Sequence, residues 1–105
     1  MRLPKSLPKP KKPKLLIARR VVGASMQPRL AADRIVWASG LFKRVRAGDV
    51  VVLEHNGLEK IKRVEAVQDG QLFVLGDNAL ASTDSRSFGW LDISAVIGKV
   101  IWPRI

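Results

Sequence analysis

A small, mainly β domain of antiparallel strands, curled or barrel-like, is the fold class that this sequence predicts, and three observations carry it. Short runs rich in branched and aromatic residues recur at strand length from Arg34 onward. Between them stand Asn56-Gly57 and Asp69-Gly70, dipeptides that close tight hairpins because both residues tolerate a positive φ. No stretch sustains the 3.6-residue apolar period of a long helix. At 105 residues the chain suits one domain with a modest core.

The elements follow in chain order. The first 20 residues, MRLPKSLPKPKKPKLLIARR, hold eight of the 19 Lys and Arg, none of the nine acidic residues and four of the six prolines. Of the net charge of +10, the remaining 85 residues therefore carry only +2. Such a composition favours extended, solvated chain, so residues 1–20 are predicted as a disordered basic leader and 21–105 as the folded domain. The leader suits peripheral contact with an anionic membrane. It has no aromatic side chain to stack on bases, which makes nucleic acid an unlikely partner and leaves a basic nucleic-acid-binding β-barrel as an alternative of another class. The longest apolar run near the N-terminus, Leu15–Ala18, falls far below the roughly 20 residues of a membrane span. A cytoplasmic protein is the expectation.

Strands are predicted at Arg34–Ser39, Asp49–Glu54, Glu59–Val67, Gln71–Gly76 and Ala95–Trp102, with a turn at Ala47-Gly48-Asp49 and one helical turn within Trp90–Val96. One histidine and no cysteine exclude disulfide and thiol chemistry and argue against a structural zinc site. No cofactor is expected.

Three segments carry the chemistry. The first is Gly23-Ala24-Ser25-Met26-Gln27-Pro28, a turn holding a serine that becomes a nucleophile only if a neighbouring base takes its proton. His55 is one candidate base, in a Ser-His-Asp arrangement with Asp77 or Asp84, but it sits immediately before the Asn56-Gly57 turn. Lys62 is the better one. By strand parity it shares a face with Val64 and Ala66, where desolvation would lower its pKa and leave a neutral amine. Lys60 has the same parity but lies nearer the turn, beside Glu59. The third segment, GDNALASTDSR (76–86), is a polar loop in which Asp84 and Arg86 can pair and Ser82 can offer its hydroxyl to an amine.

Together these segments resemble the signal peptidase I family of Ser-Lys proteases. GASMQPRL resembles its nucleophile box, AGDVVVL its second strand motif, KIKRVEAV its lysine box and GDNALASTDSRSFGWL its closing box, in the family's order. The resemblance implies the catalytic-core fold of that family, with Ser25 as nucleophile, Lys62 as general base and the Ser25 N–H in the oxyanion hole. It further implies that Ser82 orients Lys62, that Asp84 and Arg86 brace the loop, and that Gly76, Asp77 and Asn78 shape the floor of the site. Met26 and Pro28 would bind substrate and fix the approach of the serine turn to Lys62. Gly23 stands where many bacterial members carry a serine that completes the oxyanion hole. A narrower resemblance, to the maturation proteases of nickel-type superoxide dismutase, implies as substrate a precursor with an N-terminal extension. The alternative within the family is a signal peptidase acting on secretory signal peptides at a membrane.

Overall fold

A computed structural model describes residues 15–42 and 44–105, so most of the stretch read as a disordered leader lies outside the described residues. Seven strands form a single uncurled antiparallel sheet: β1 (Ile17–Arg20), β2 (Ile35–Ser39), β3 (Val50–His55), β4 (Leu58–Gln68), β5 (Gln71–Leu75), β6 (Leu91–Asp92) and β7 (Val96–Trp102). Their order is β1-β2-β7-β3-β4-β5-β6. The edge strands β1 and β6 are not paired with each other, so the sheet stays open where a barrel was a possible form. One short helix, α1 (Ser85–Phe88), and single 3-10 turns at Ala79–Ala81 and Ile93–Ala95 complete the described elements.

Turn chemistry sets the register. Asn56 and Gly57 take φ of 52° and 77°, Asp69 and Gly70 take 50° and 76°, and each pair closes a two-residue hairpin of the mirror-image type that matches strand twist. Those turns pair His55 with Leu58 and Gln68 with Gln71. From there the ladder places Val51 opposite Lys62 and Val52 opposite Ile61.

Both faces of the central strands are covered. On one, Val51, Leu53, Val64, Leu72, Val74 and Val96 pack with Val45 and with Phe88 and Leu91. On the other, Val50 joins Val21, Met26, Leu30 and Val36, while Val52 meets Ile17 and Ala38. This double burial is why β3 reads VVVL without polar alternation.

Two sequence expectations change. Ile17–Arg20, read as leader, pairs with β2 from Ile17–Ala38 to Arg20–Ile35, and Ile17 is buried. In β4 the pairing passes from Val64–Val74 to Ala66–Phe73, so Glu65 is a bulge residue. Parity flips there: Lys62 shares its face with Val64, but Ala66 lies on the other face and Val67 takes its place.

If β1 is integral to the sheet, Ile17→Ala should lower stability by about 2–5 kcal/mol, the usual cost of truncating a buried isoleucine. Urea unfolding would read this, and an unchanged midpoint would return Ile17 to the leader.

Candidate active site

The loop 76–84 leaves the sheet at the end of β5, whose last pairing is Leu75 with Arg63. Residues 58–62 of β4 therefore have β3 on one side and an unpaired strand edge on the other. A cleft of about 320 Å³ runs along this edge, lined by Val52, Lys60, Ile61 and Lys62 of the sheet, by Arg19 and Arg20 of β1, and by Val21, Ser25 and Met26 of the following turn. Ser25 and Lys62, far apart in sequence, line the same cleft.

Three consecutive residues clasp the serine turn. The N–H of Asn78 donates to the Ser25 carbonyl at 2.7 Å, and the N–H of Asp77 points at Met26 Sδ at 3.5 Å. Gly76 presses closest: a Cβ there would overlap Ser82 Oγ and stand 2.6 Å from the Ser25 carbonyl. No side chain fits. Within the turn itself, Gln27 N–H donates to the Ala24 carbonyl and Leu30 N–H to the Met26 carbonyl. Neither the hydroxyl nor the N–H of Ser25 has a hydrogen-bond partner among the described residues.

Lys62 is 4% exposed, and its Nζ donates to Ser82 Oγ at 3.1 Å. Ser82 Oγ in turn donates to Asp84 Oδ2 at 2.7 Å. Burial lowers the Lys62 pKa, the Lys60 and Arg86 charges push the same way, and Asp84 opposes them. Asp84 is itself buried, which alone would raise its pKa. The Arg86 guanidinium at 2.6 Å, the N–H of Gly76 at 2.9 Å, the Ser82 hydroxyl and the Arg86 N–H outweigh that and hold the carboxyl well below the usual range. The result is a chain from buried Lys62 through half-buried Ser82 to a buried, ionised Asp84.

The match to known proteins can be set on this geometry. Residues 54–104 match the family of signal peptidase, peptidase S26. That stretch holds Lys62 and the whole 76–86 loop but not Ser25. The chain is also 47% identical over 49 residues to a signal peptidase I of Bacillus caldolyticus, covering 44% of this chain and 27% of that one. It is 31% identical over 97 residues to subunit 1a of a mitochondrial ATP-independent inner membrane protease of Arabidopsis thaliana, covering 90% of this chain. An alignment that long takes in the Ser25 turn as well. The chain spans 45% of the length of the Arabidopsis protein.

Within this signal peptidase S26 likeness the structure sorts the remaining expected residues. Met26 is 1% exposed and packs in the core with Val21, Leu30, Val36 and Val50, so it anchors the turn beneath the cleft. Pro28 is exposed on the turn and does not line the cleft. Asp77 is held by Arg63 through two hydrogen bonds of 2.8 and 2.9 Å, and Arg63 also reaches the Gly48 and Ile105 carbonyls. With Asp77 tied to Arg63 and Asp84 to Arg86, neither reaches His55. That histidine instead stacks on Phe88 at 4.2 Å, outside the cleft. The Ser-His-Asp arrangement does not assemble.

Sequence reasoning missed two supports. Arg63 alternates with Lys62 on the strand and clamps the loop from the opposite face. Its signal was Asp77, a carboxylate just after a glycine. Ser85 is buried and accepts from the Val74 N–H at 2.8 Å, serving a strand group beyond the reach of β6.

Two outcomes check this architecture. Gly76→Ala should cost about 1–3 kcal/mol through forced displacement of Ser82 and the Ser25 backbone, read by thermal unfolding. The folded-state pKa of Asp84 lies below its unfolded value, so its stabilisation is full above about pH 4 and fades as pH falls through the acid range. Asp84→Asn should therefore flatten the acid side of a plot of Tm against pH, and an unchanged slope would discount the buried carboxylate.

Proposed function

We propose that the protein is a serine endopeptidase of the signal peptidase type that removes an N-terminal extension from a precursor protein, with Ser25 as nucleophile and Lys62 as general base. One observation supports this most: a buried lysine with a lowered pKa, oriented by Ser82, lines the same cleft as a serine whose hydroxyl has no hydrogen-bond partner among the described residues. The family match across Lys62 and the closing loop agrees with it.

The chemistry follows from the groups in place. An extended peptide lies along the unpaired edge of β4 by strand addition. Neutral Lys62 takes the proton from Ser25 Oγ as that oxygen attacks the scissile carbonyl. The free N–H of Ser25 faces the developing oxyanion. Gly23 contributes no side-chain donor there, so the hole relies on backbone groups. The Lys62 ammonium then protonates the leaving amine, and an acyl ester remains on Ser25. Water, deprotonated by Lys62, attacks the ester and returns the free serine.

Two substrates fit this reaction. The nickel-type superoxide dismutase precursor rests on the motif resemblance alone, through the closely spaced strands and the short chain between the lysine and closing boxes. Secretory or organellar precursors are favoured by the names of the relatives, a signal peptidase and an inner membrane protease. No helix among the described residues is long and apolar enough to cross a membrane. Contact of residues 1–20 with anionic lipid would then place the cleft at a bilayer.

Incubation of the purified chain with each precursor, read by mass spectrometry, tests both. One cut that frees the mature N-terminus is expected, lost by at least about 1,000-fold in Ser25→Ala and in Lys62→Met, and retained in His55→Ala. Cleavage that survives Ser25→Ala would end the proposal. Because the base must be neutral, kcat/KM should rise with pH through the lowered Lys62 pKa and then level off. A profile flat from neutral to alkaline pH would contradict Lys62 as base.

A further inference from the structure

Lys60 stands two residues from Lys62 on β4, on the same face by parity, and both line the cleft. The neighbours of Lys60 are two rings. Nζ lies 3.4 Å from His55 Nδ1 and 4.7 Å from the centre of the Phe88 ring. The His55 and Phe88 rings are themselves stacked at 4.2 Å. Lys60 is thus seated between an imidazole nitrogen and an aromatic face.

That distinction matters at Lys62. Three charged side chains act on it: Asp84, Arg86 and Lys60. Burial is the first cause of the lowered Lys62 pKa; Asp84 opposes it most strongly, paired with Arg86 at 2.6 Å, and Lys60 is the stronger of the two cations that add to it. Of the other charged residues at the cleft, Arg19 is paired with Glu59 across its rim, and Arg20 is exposed at the end of β1. Asp77 is occupied by Arg63. Among the described cations at the cleft, Lys60 is the one seated against two rings rather than in an ion pair, and its charge acts on Lys62 in the same direction as burial.

We infer that Lys60 is a positioning residue of this site, a fixed cation clamped by His55 and Phe88 that holds Lys62 in its neutral, proton-accepting form. The inference rests on the assignment of Lys62 as general base. Phe88 belongs to α1, which begins directly after Asp84, so the loop that orients Lys62 through Ser82 also places the ring that holds Lys60. One short segment therefore governs both the direction and the charge state of the base.

The test reads Lys62 directly. In the full chain carrying Ser25→Ala, with lysines labelled at Cε, the Lys62 carbon resonance is followed against pH with Lys60 present, in Lys60→Met and in Lys60→Arg. Replacing the charge by Met should raise the Lys62 midpoint by about half a unit to one unit, as for one cation about two strand positions away, and Arg should keep it low. In parallel, the rising limb of kcat/KM against pH should shift upward by the same interval in the Lys60→Met enzyme and stay in place in Lys60→Arg. If Lys60→Met fails to fold, Lys60→Gln serves as the same uncharged comparison. A Lys62 midpoint that stays low without Lys60 overturns the inference and leaves the base assignment standing. A midpoint at the ordinary lysine value with Lys60 present overturns both.

Discussion

The Asp84 carboxylate, almost wholly out of water, is the interaction on which the rest of the site depends. A buried charge is tolerated only when its partners are complete. Here Arg86 supplies the opposite charge, and the Gly76 N–H and the Ser82 hydroxyl take further positions. Each of these bonds has a consequence elsewhere. With its proton committed to Asp84, the Ser82 oxygen can only accept from Lys62, which fixes the direction of the amine. With its N–H tied to the same carboxylate, Gly76 is drawn against the Ser25 carbonyl, at a distance no side chain permits. A single acceptor therefore registers the serine turn and the lysine strand, though it bonds to neither the Ser25 hydroxyl nor the Lys62 amine.

The same arrangement costs stability at the lysine. A lysine whose folded pKa is lowered binds its proton more tightly in the unfolded chain, so the folded state is penalised at neutral pH and relieved as pH rises towards the ordinary lysine value. Nearby positive charge deepens that penalty. The double-sided core around Val50–Leu53 and the paired hairpins provide the rigidity that offsets it. Strained electrostatics at the cleft and an over-determined sheet beneath it are two aspects of one construction.

Much of this was legible in the sequence because its signals are local. The Asn-Gly and Asp-Gly turns fix register, the VVVL run marks a strand covered on both faces, and the spacing of Ser82, Asp84 and Arg86 places three partners within one turn of chain. What escaped was decided by tertiary contact. Nothing local separates Ile17–Arg20 from the basic segment before it; only pairing with β2 makes it a strand. The Glu65 bulge is invisible to period-two counting, which is why Ala66 and Val67 exchange faces. Met26, beside the serine, reads as a substrate contact until the packing of Val21, Leu30 and Val36 around it shows a core anchor. Arg63 and Ser85 belong to bonds spanning 14 and 11 residues that no motif spacing announces.

The claim at the centre of this account is that Ser25 carries the acyl group and Lys62 moves its proton. Rapid acid quenching of the protein mixed with a cleavable precursor, followed by peptide mass analysis, addresses it most directly. The expected result is a transient ester on the peptide containing Ser25, present with Lys62 and absent in Lys62→Met. Cleavage that proceeds with no adduct on Ser25, or with the adduct on another residue, would contradict it.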